Sequence, residues 1–161
     1  MKMAKKPQGH SFHSAFTVIE LIFVIVILGI LSAIALPKFT ATKNLADIGK
    51  GRSDVMAIRS SILTERQSQL IKGIKSYIPK LSDNNTTLFK GNGTRKLLLY
   101  GVTSGTTDGK WSASDTTYKN YNFKVNGVDV AFTYDNSTGI FECDANKDGT
   151  QAQKYCYQMT K

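Results

Sequence analysis

From Phe16 to Leu36 the chain reads FTVIELIFVIVILGILSAIAL, an apolar run interrupted by a single charge, Glu20. At about 1.5 Å per residue the run predicts a helix long enough to cross roughly 30 Å of hydrocarbon, so we read it as a membrane span and not as a core helix. A cleaved secretory signal has a shorter apolar region, with its small-residue cleavage site after that region. Here the small residues Ser14 and Ala15 come before it. Lys2, Lys5 and Lys6 lie ahead of the run, which predicts a cytoplasmic N-terminus and export of the bulk of the chain.

Glu20 is the anomaly of the span. A carboxylate near the bilayer centre costs about 2.5 to 3.5 kcal/mol on insertion scales, so something must offset it. One reading places Glu20 near the interface, within reach of water and helped by the positive end of the helix dipole. The sharper reading pairs it with a cation supplied by another subunit.

At 161 residues the chain has room for one modest domain besides the span, not for two full-sized domains. Its net charge is +9, and removal of the three lysines that precede the span, with both histidines, His10 and His13, leaves +6 and no histidine. Histidine is the usual general base and zinc ligand, so an enzyme reading loses its commonest parts. No nucleophile-and-base constellation and no phosphate loop is visible in the remainder. We therefore expect no enzyme. Cys143 and Cys156 form a poor zinc site without histidine, and in an exported chain such a pair more often forms a disulfide. It would close a loop worth about 3 kcal/mol.

Ala15, Phe16, Thr17, Glu20 and the apolar run through Gly29 to Pro37 resemble the prepilin N-terminus shared by type IV pilins and type II secretion pseudopilins. The resemblance implies a leader at 1–15, a transmembrane and assembly helix at 16–36, cleavage between Ala15 and Phe16 by a prepilin peptidase, and N-methylation of the new Phe16 amine. Glu20 would neutralise the Phe16 ammonium of a neighbouring subunit and so set the axial register of a filament. Ala15 stands where the family usually has glycine and is small enough to serve. The implied partners are further copies, other pilins or pseudopilins, the peptidase and an inner-membrane assembly platform. The implied location is the bacterial inner membrane, single-pass with the C-terminal domain in the periplasm, and then a periplasmic pseudopilus or an extracellular pilus. Cys143 and Cys156 also resemble the C-terminal disulfide loop of many type IV pilins.

Gly29 and Pro37 have a physical reading apart from the family. Glycine costs about 1 kcal/mol inside a helix and proline about 3, so the stretch between them is a weak section that could bend; Gly29, Ser32 and Ala33 equally suit close packing in lipid. Beyond Pro37, the residues Leu45, Ile48, Val55, Ile58, Ile62, Leu70, Ile74 and Ile78 fall near helical spacing. This predicts an amphipathic continuation over 37–80, its end bracketed by Gly73 and Pro79. Residues 81–161 read as a loop followed by antiparallel strands at 97–102, 121–125, 128–134 and 140–143, with Asn126-Gly127 as a two-residue hairpin turn. Trp111 and Tyr118 are expected to cover one edge of the core. The expected fold is thus α+β and pilin-like: a long N-terminal helix on a small antiparallel sheet.

Asp144, Asn146, Asp148 and Gly149 match the first half of a calcium loop, but Tyr155 occupies the twelfth position, which excludes an EF-hand. An Asx-rich turn is the favoured reading, and calcium is kept open because some major pseudopilins hold it in a C-terminal loop. Asn84, Asn85, Asn92 and Asn136 each begin an Asn-x-Thr triplet, and Asp83 to Thr87 (DNNTT) resembles the longer acidic sequon of bacterial N-glycosylation. The leading function is a structural subunit of a type II pseudopilus or type IV pilus. A competence pseudopilin or DNA-binding filament subunit is the alternative, weakened because Lys and Arg are spread and not clustered.

Overall fold

The computed structural model describes residues 16–161 and divides the chain after Thr40 into two compact units. Helix α1 (Val18–Ile71) begins in the first and continues in the second. Within the first unit its apolar side chains, from Val18 to Ile34, are all exposed. It is helical through Gly29 and Pro37, the two positions expected to weaken it.

In the second unit α1 buries one stripe: Gly51, Val55, Ile58, Ile62, Glu65 and Gln69, at alternating spacings of four and three. The stripe differs from the expected one at its ends. Leu45 and Leu70 are exposed, and Glu65 and Gln69 take buried places. The helix also stops earlier than expected, at Ile71. Gly73 adopts φ +77°, the Ile74 amide donates to the Gln69 carbonyl, and the Gly73 amide donates to that of Leu70, which together form a Schellman stop. Ile74 and Ile78 therefore lie in the following loop, where Ile78 is still buried.

That loop carries two short antiparallel pairs, β1 (Thr87–Leu88) with β4 (Val102–Thr103) and β2 (Gly91–Asn92) with β3 (Arg95–Lys96). The strand expected at 97–102 is reduced to β4, because Leu97 and Leu98 donate instead to the carbonyls of Lys90 and Phe89, and Leu99 and Tyr100 turn out to solvent. A four-stranded antiparallel sheet follows in the order β5 (Trp111–Ala113), β6 (Asn120–Val125), β7 (Val128–Asp135), β8 (Ile140–Cys143). Asn126 and Gly127, both at positive φ, make the β6–β7 turn as the sequence predicts.

Alternation along β6 and β7 sends Tyr121, Phe123, Val125, Val130, Phe132 and Tyr134 into the core against α1. Trp111 is central and not at the edge: it is fully buried with Phe89, Phe123, Phe132 and Phe141 at centroid distances of 4.9 to 6.0 Å. Its indole N–H is satisfied by the Asp54 carboxylate at 3.0 Å. The chain closes with α2 (Gln151–Thr160), opened by a capping box between Thr150 and Gln153. These elements form an α+β arrangement, a long N-terminal helix on small antiparallel sheets, as the sequence predicts.

Candidate assembly site

Thr17 starts the membrane-length helix. Its hydroxyl accepts from the Glu20 amide at 3.3 Å, and its carbonyl accepts from the Leu21 amide at 3.2 Å, so Thr17 is the N-cap and Glu20 the third helical residue. The Thr-x-x-Glu spacing of a capping box was in the sequence, but the cap role of Thr17 was not part of the expected site. The consequence is electrostatic. A negative side chain in the first turn meets the positive end of the helix dipole.

Glu20 is exposed and is flanked by Ile19, Ile22, Phe23 and Val26, which line a shallow apolar groove beside it. Phe16 is 77% exposed. The helix is long and apolar enough to cross a membrane, and none of that apolar stretch is buried by the described residues. A surface of this kind in water would be covered by lipid or by other helices. Ala15 and the rest of 1–15, including the expected scissile bond, lie outside the described residues.

In the second unit Cys143, at the end of β8, and Cys156, on α2, are joined by a disulfide with Cα atoms 6.0 Å apart. The C-terminal tail that it fastens is a helix. Between the cysteines the residues of the half calcium pattern are used locally: Asn146 Oδ1 accepts from the Asp148 amide at 3.0 Å, Asp144 Oδ2 accepts from the Gln153 side chain, and Asp148 is exposed beside Lys147. Among the described residues no group of three or more His, Cys, Asp and Glu side chains is gathered for a metal.

Loop aspartates fasten the unit. Asp108 accepts from the Gly127 amide of the hairpin turn at 2.8 Å and from Lys43 of α1 at 2.9 Å, and these bonds, the amide's first, hold its carboxyl below the usual range. Asp83 is lowered in the same way, first by the Gly93 amide and then by Asn92, Asp115 first by Asn120, and Asp135 first by the Ser137 amide. The Tyr134 hydroxyl, which donates to the Ile78 carbonyl, is pushed up to about 12 by burial.

No protein-family model matches the chain, and no solved structure matches it. Two curated proteins do. Each is called fimbrial protein, from Pseudomonas aeruginosa, and each is 26% identical over 143 residues that cover 84% of this chain and 87% of the relative. The aligned length is too great for the apolar run alone, so over most of its length, domain included, this chain is similar to fimbrial proteins.

Proposed function

We propose that this protein is a structural, non-enzymatic subunit of a type IV pilin-like filament, and that the filament is a pilus. The observation that carries the reading is the exposed apolar helix with Glu20 in its capped first turn, continuous with a helix that packs on a separate disulfide-fastened domain. The similarity to two fimbrial proteins supports a pilus over a secretion pseudopilus. In this reading the subunit waits in the inner membrane, a prepilin peptidase cuts between Ala15 and Phe16, and the new Phe16 amine is methylated. An assembly platform then adds the subunit to a filament of its own copies and other pilins.

Burial of the Phe16–Leu36 helix among its copies drives assembly, and the charge pair between Glu20 and the Phe16 amine of a neighbour sets register. The 144–149 loop we read as an Asx-rich turn that shapes the exposed end of the domain. Mass spectrometry of the N-terminus of the protein from its own cells tests the reading. A mature chain beginning at N-methylated Phe16 is expected. Retention of Met1, or cleavage after the apolar run, overturns it.

A further inference from the structure

Four Asn-x-Thr triplets lie on the described surface, and the structure treats them differently. Asn84 turns its Oδ1 inward to accept from the Thr86 amide, the Thr86 hydroxyl and the Thr87 amide at 3.0, 2.8 and 2.9 Å, which consumes the hydroxyl of its own triplet. Asn92 lies in β2, and its Nδ2 donates to Asp83 at 2.7 Å. Asn136 holds Lys119 at 2.7 Å, and the hydroxyl of its triplet partner Thr138 donates to Asp135. Asn85 is exposed, and its carboxamide has no hydrogen-bond partner among the described residues.

The backbone on either side is fixed. Ser82 is fully buried, where its hydroxyl accepts from the Phe89 amide at 2.9 Å and meets the Tyr121 hydroxyl at 2.8 Å, and Thr87 is paired with Thr103. The Asn84 side chain ties the bend between these anchors, and Asn85 is exposed on it. Asp83, two residues before Asn85, keeps its carboxylate on the same loop, bonded to the Gly93 amide at 2.7 Å and paired with Lys80 at 3.4 Å. Of the four triplets, Asn85 thus combines a carboxamide with no partner among the described residues, a threonine two residues on and an aspartate two residues before.

We propose that Asn85 is the acceptor of an N-linked oligosaccharide. The donor class is an oligosaccharide carried on a lipid pyrophosphate. In the transfer a bond forms between Asn85 Nδ2 and C1 of the first sugar, and the bond from C1 to the pyrophosphate oxygen breaks. The lipid pyrophosphate leaves with the electron pair, and Nδ2 gives up one proton to a base of the transferase. An amide nitrogen is a weak nucleophile because its lone pair is delocalised into the carbonyl, so the enzyme must turn the carboxamide freely. Asn85 allows this without the loss of an internal bond; Asn92 does not. The acidic residue before the acceptor supplies a charge that a basic side chain of the transferase reads through a charge-assisted hydrogen bond. The proposal rests on export of the domain, which the disulfide supports, and not on filament assembly.

The test uses the full chain in detergent, a purified bacterial oligosaccharyltransferase that favours acceptors with an acidic residue two positions before asparagine, and its lipid-pyrophosphate oligosaccharide. Intact mass is expected to rise by one glycan, and electron-transfer fragmentation of the tryptic peptide 81–90 is expected to place it on Asn85. N85Q abolishes the shift, and N84Q and N136Q retain it. D83A slows transfer by about tenfold, the loss of one charge-assisted contact, and D83E restores it. An unshifted mass, a glycan on Asn84, Asn92 or Asn136, or full transfer to D83A overturns the proposal. None of these outcomes depends on cleavage at Phe16 or on assembly, so failure here is separate from failure of the filament reading.

Discussion

Arg95, on the β2–β3 hairpin, grips the buried carboxylate of Glu65, on α1, through two parallel hydrogen bonds of 2.6 and 2.8 Å, from Nε to one oxygen and from Nη2 to the other. The same guanidinium donates to the carbonyls of Ser76 and Tyr77, each at 3.0 Å, just beyond the helix stop. One side chain therefore ties the helix, the loop after it and the hairpin together. The Glu65 side chain is only 3% exposed, so removal of its partner leaves a charge stranded in low dielectric. Arg95→Ala is expected to lose about 3 to 5 kcal/mol in urea unfolding of the chain in detergent, followed by fluorescence of the single tryptophan, Trp111. Glu65→Met with Arg95→Leu is expected to recover much of that loss, because no unpaired charge remains.

Gly49 and Gly51 separate helix propensity from packing. A methyl group at Gly49 meets nothing within 4 Å, whereas one at Gly51 meets Met159 Sδ at 2.5 Å and Phe123 Cε1 at 2.6 Å. Gly49→Ala is expected to stabilise by up to about 1 kcal/mol. Gly51→Val is expected to destabilise by about 1 to 3 kcal/mol, since the approach of α2 and β6 to α1 leaves no room. Thermal melts of the two variants, side by side, are the measurement.

Reduction of the Cys143–Cys156 bond, or Cys143→Ser with Cys156→Ser, frees α2 from β8. A cost of about 3 kcal/mol is expected for a loop of this length. It appears as a lower melting temperature in reductant for the natural chain, and as no effect of reductant on the double variant.

Acid weakens the domain through its loop aspartates. Asp83, Asp108, Asp115 and Asp135 all have lowered carboxyl pKa values in the fold, so the stability they contribute is present above the unfolded value, about 3.9, and is lost as pH falls through the lowered values. The urea midpoint is expected to be flat near neutral pH and to drop below about pH 4. Asp108→Asn is expected to lower the midpoint at pH 7 and to make the acid drop shallower, because one of the carboxylates responsible is gone.

Glu20→Ala leaves the Thr17 cap and the cleavage position in place and removes the only charge in the apolar helix. Cleavage at Phe16 is expected to continue while incorporation into sheared filaments falls at least tenfold, in line with about 1.4 kcal/mol or more for a charge pair formed in lipid. Immunoblots of the membrane and filament fractions read both quantities. Normal assembly of the variant would sink the register argument.

The apolar run, its lone Glu20, the Asn126-Gly127 turn and the alternation of β6 and β7 were all legible in the sequence, because each depends on neighbours a few positions away. The four-three spacing from Val55 to Ile62 was legible for the same reason. Beyond Ile62 that signal misled: Leu70 is apolar yet exposed, and Glu65 is charged yet buried, because Arg95, 30 residues away, supplies the charge that makes burial tolerable. The placement of Trp111 at the centre was likewise invisible, since its burial is set by Phe89, Phe132 and Phe141 and by Asp54 on α1, none of them local. The same division holds for the four asparagine triplets. Sequence marks them as equals apart from Asp83, and only the hydrogen bonds of the fold leave one carboxamide, that of Asn85, without a partner among the described residues. Local pattern thus determined that a membrane-length helix leads into an α+β domain. Tertiary structure decided which polar groups are satisfied, because the bonding of a buried or exposed side chain is fixed by whichever segment the fold brings beside it.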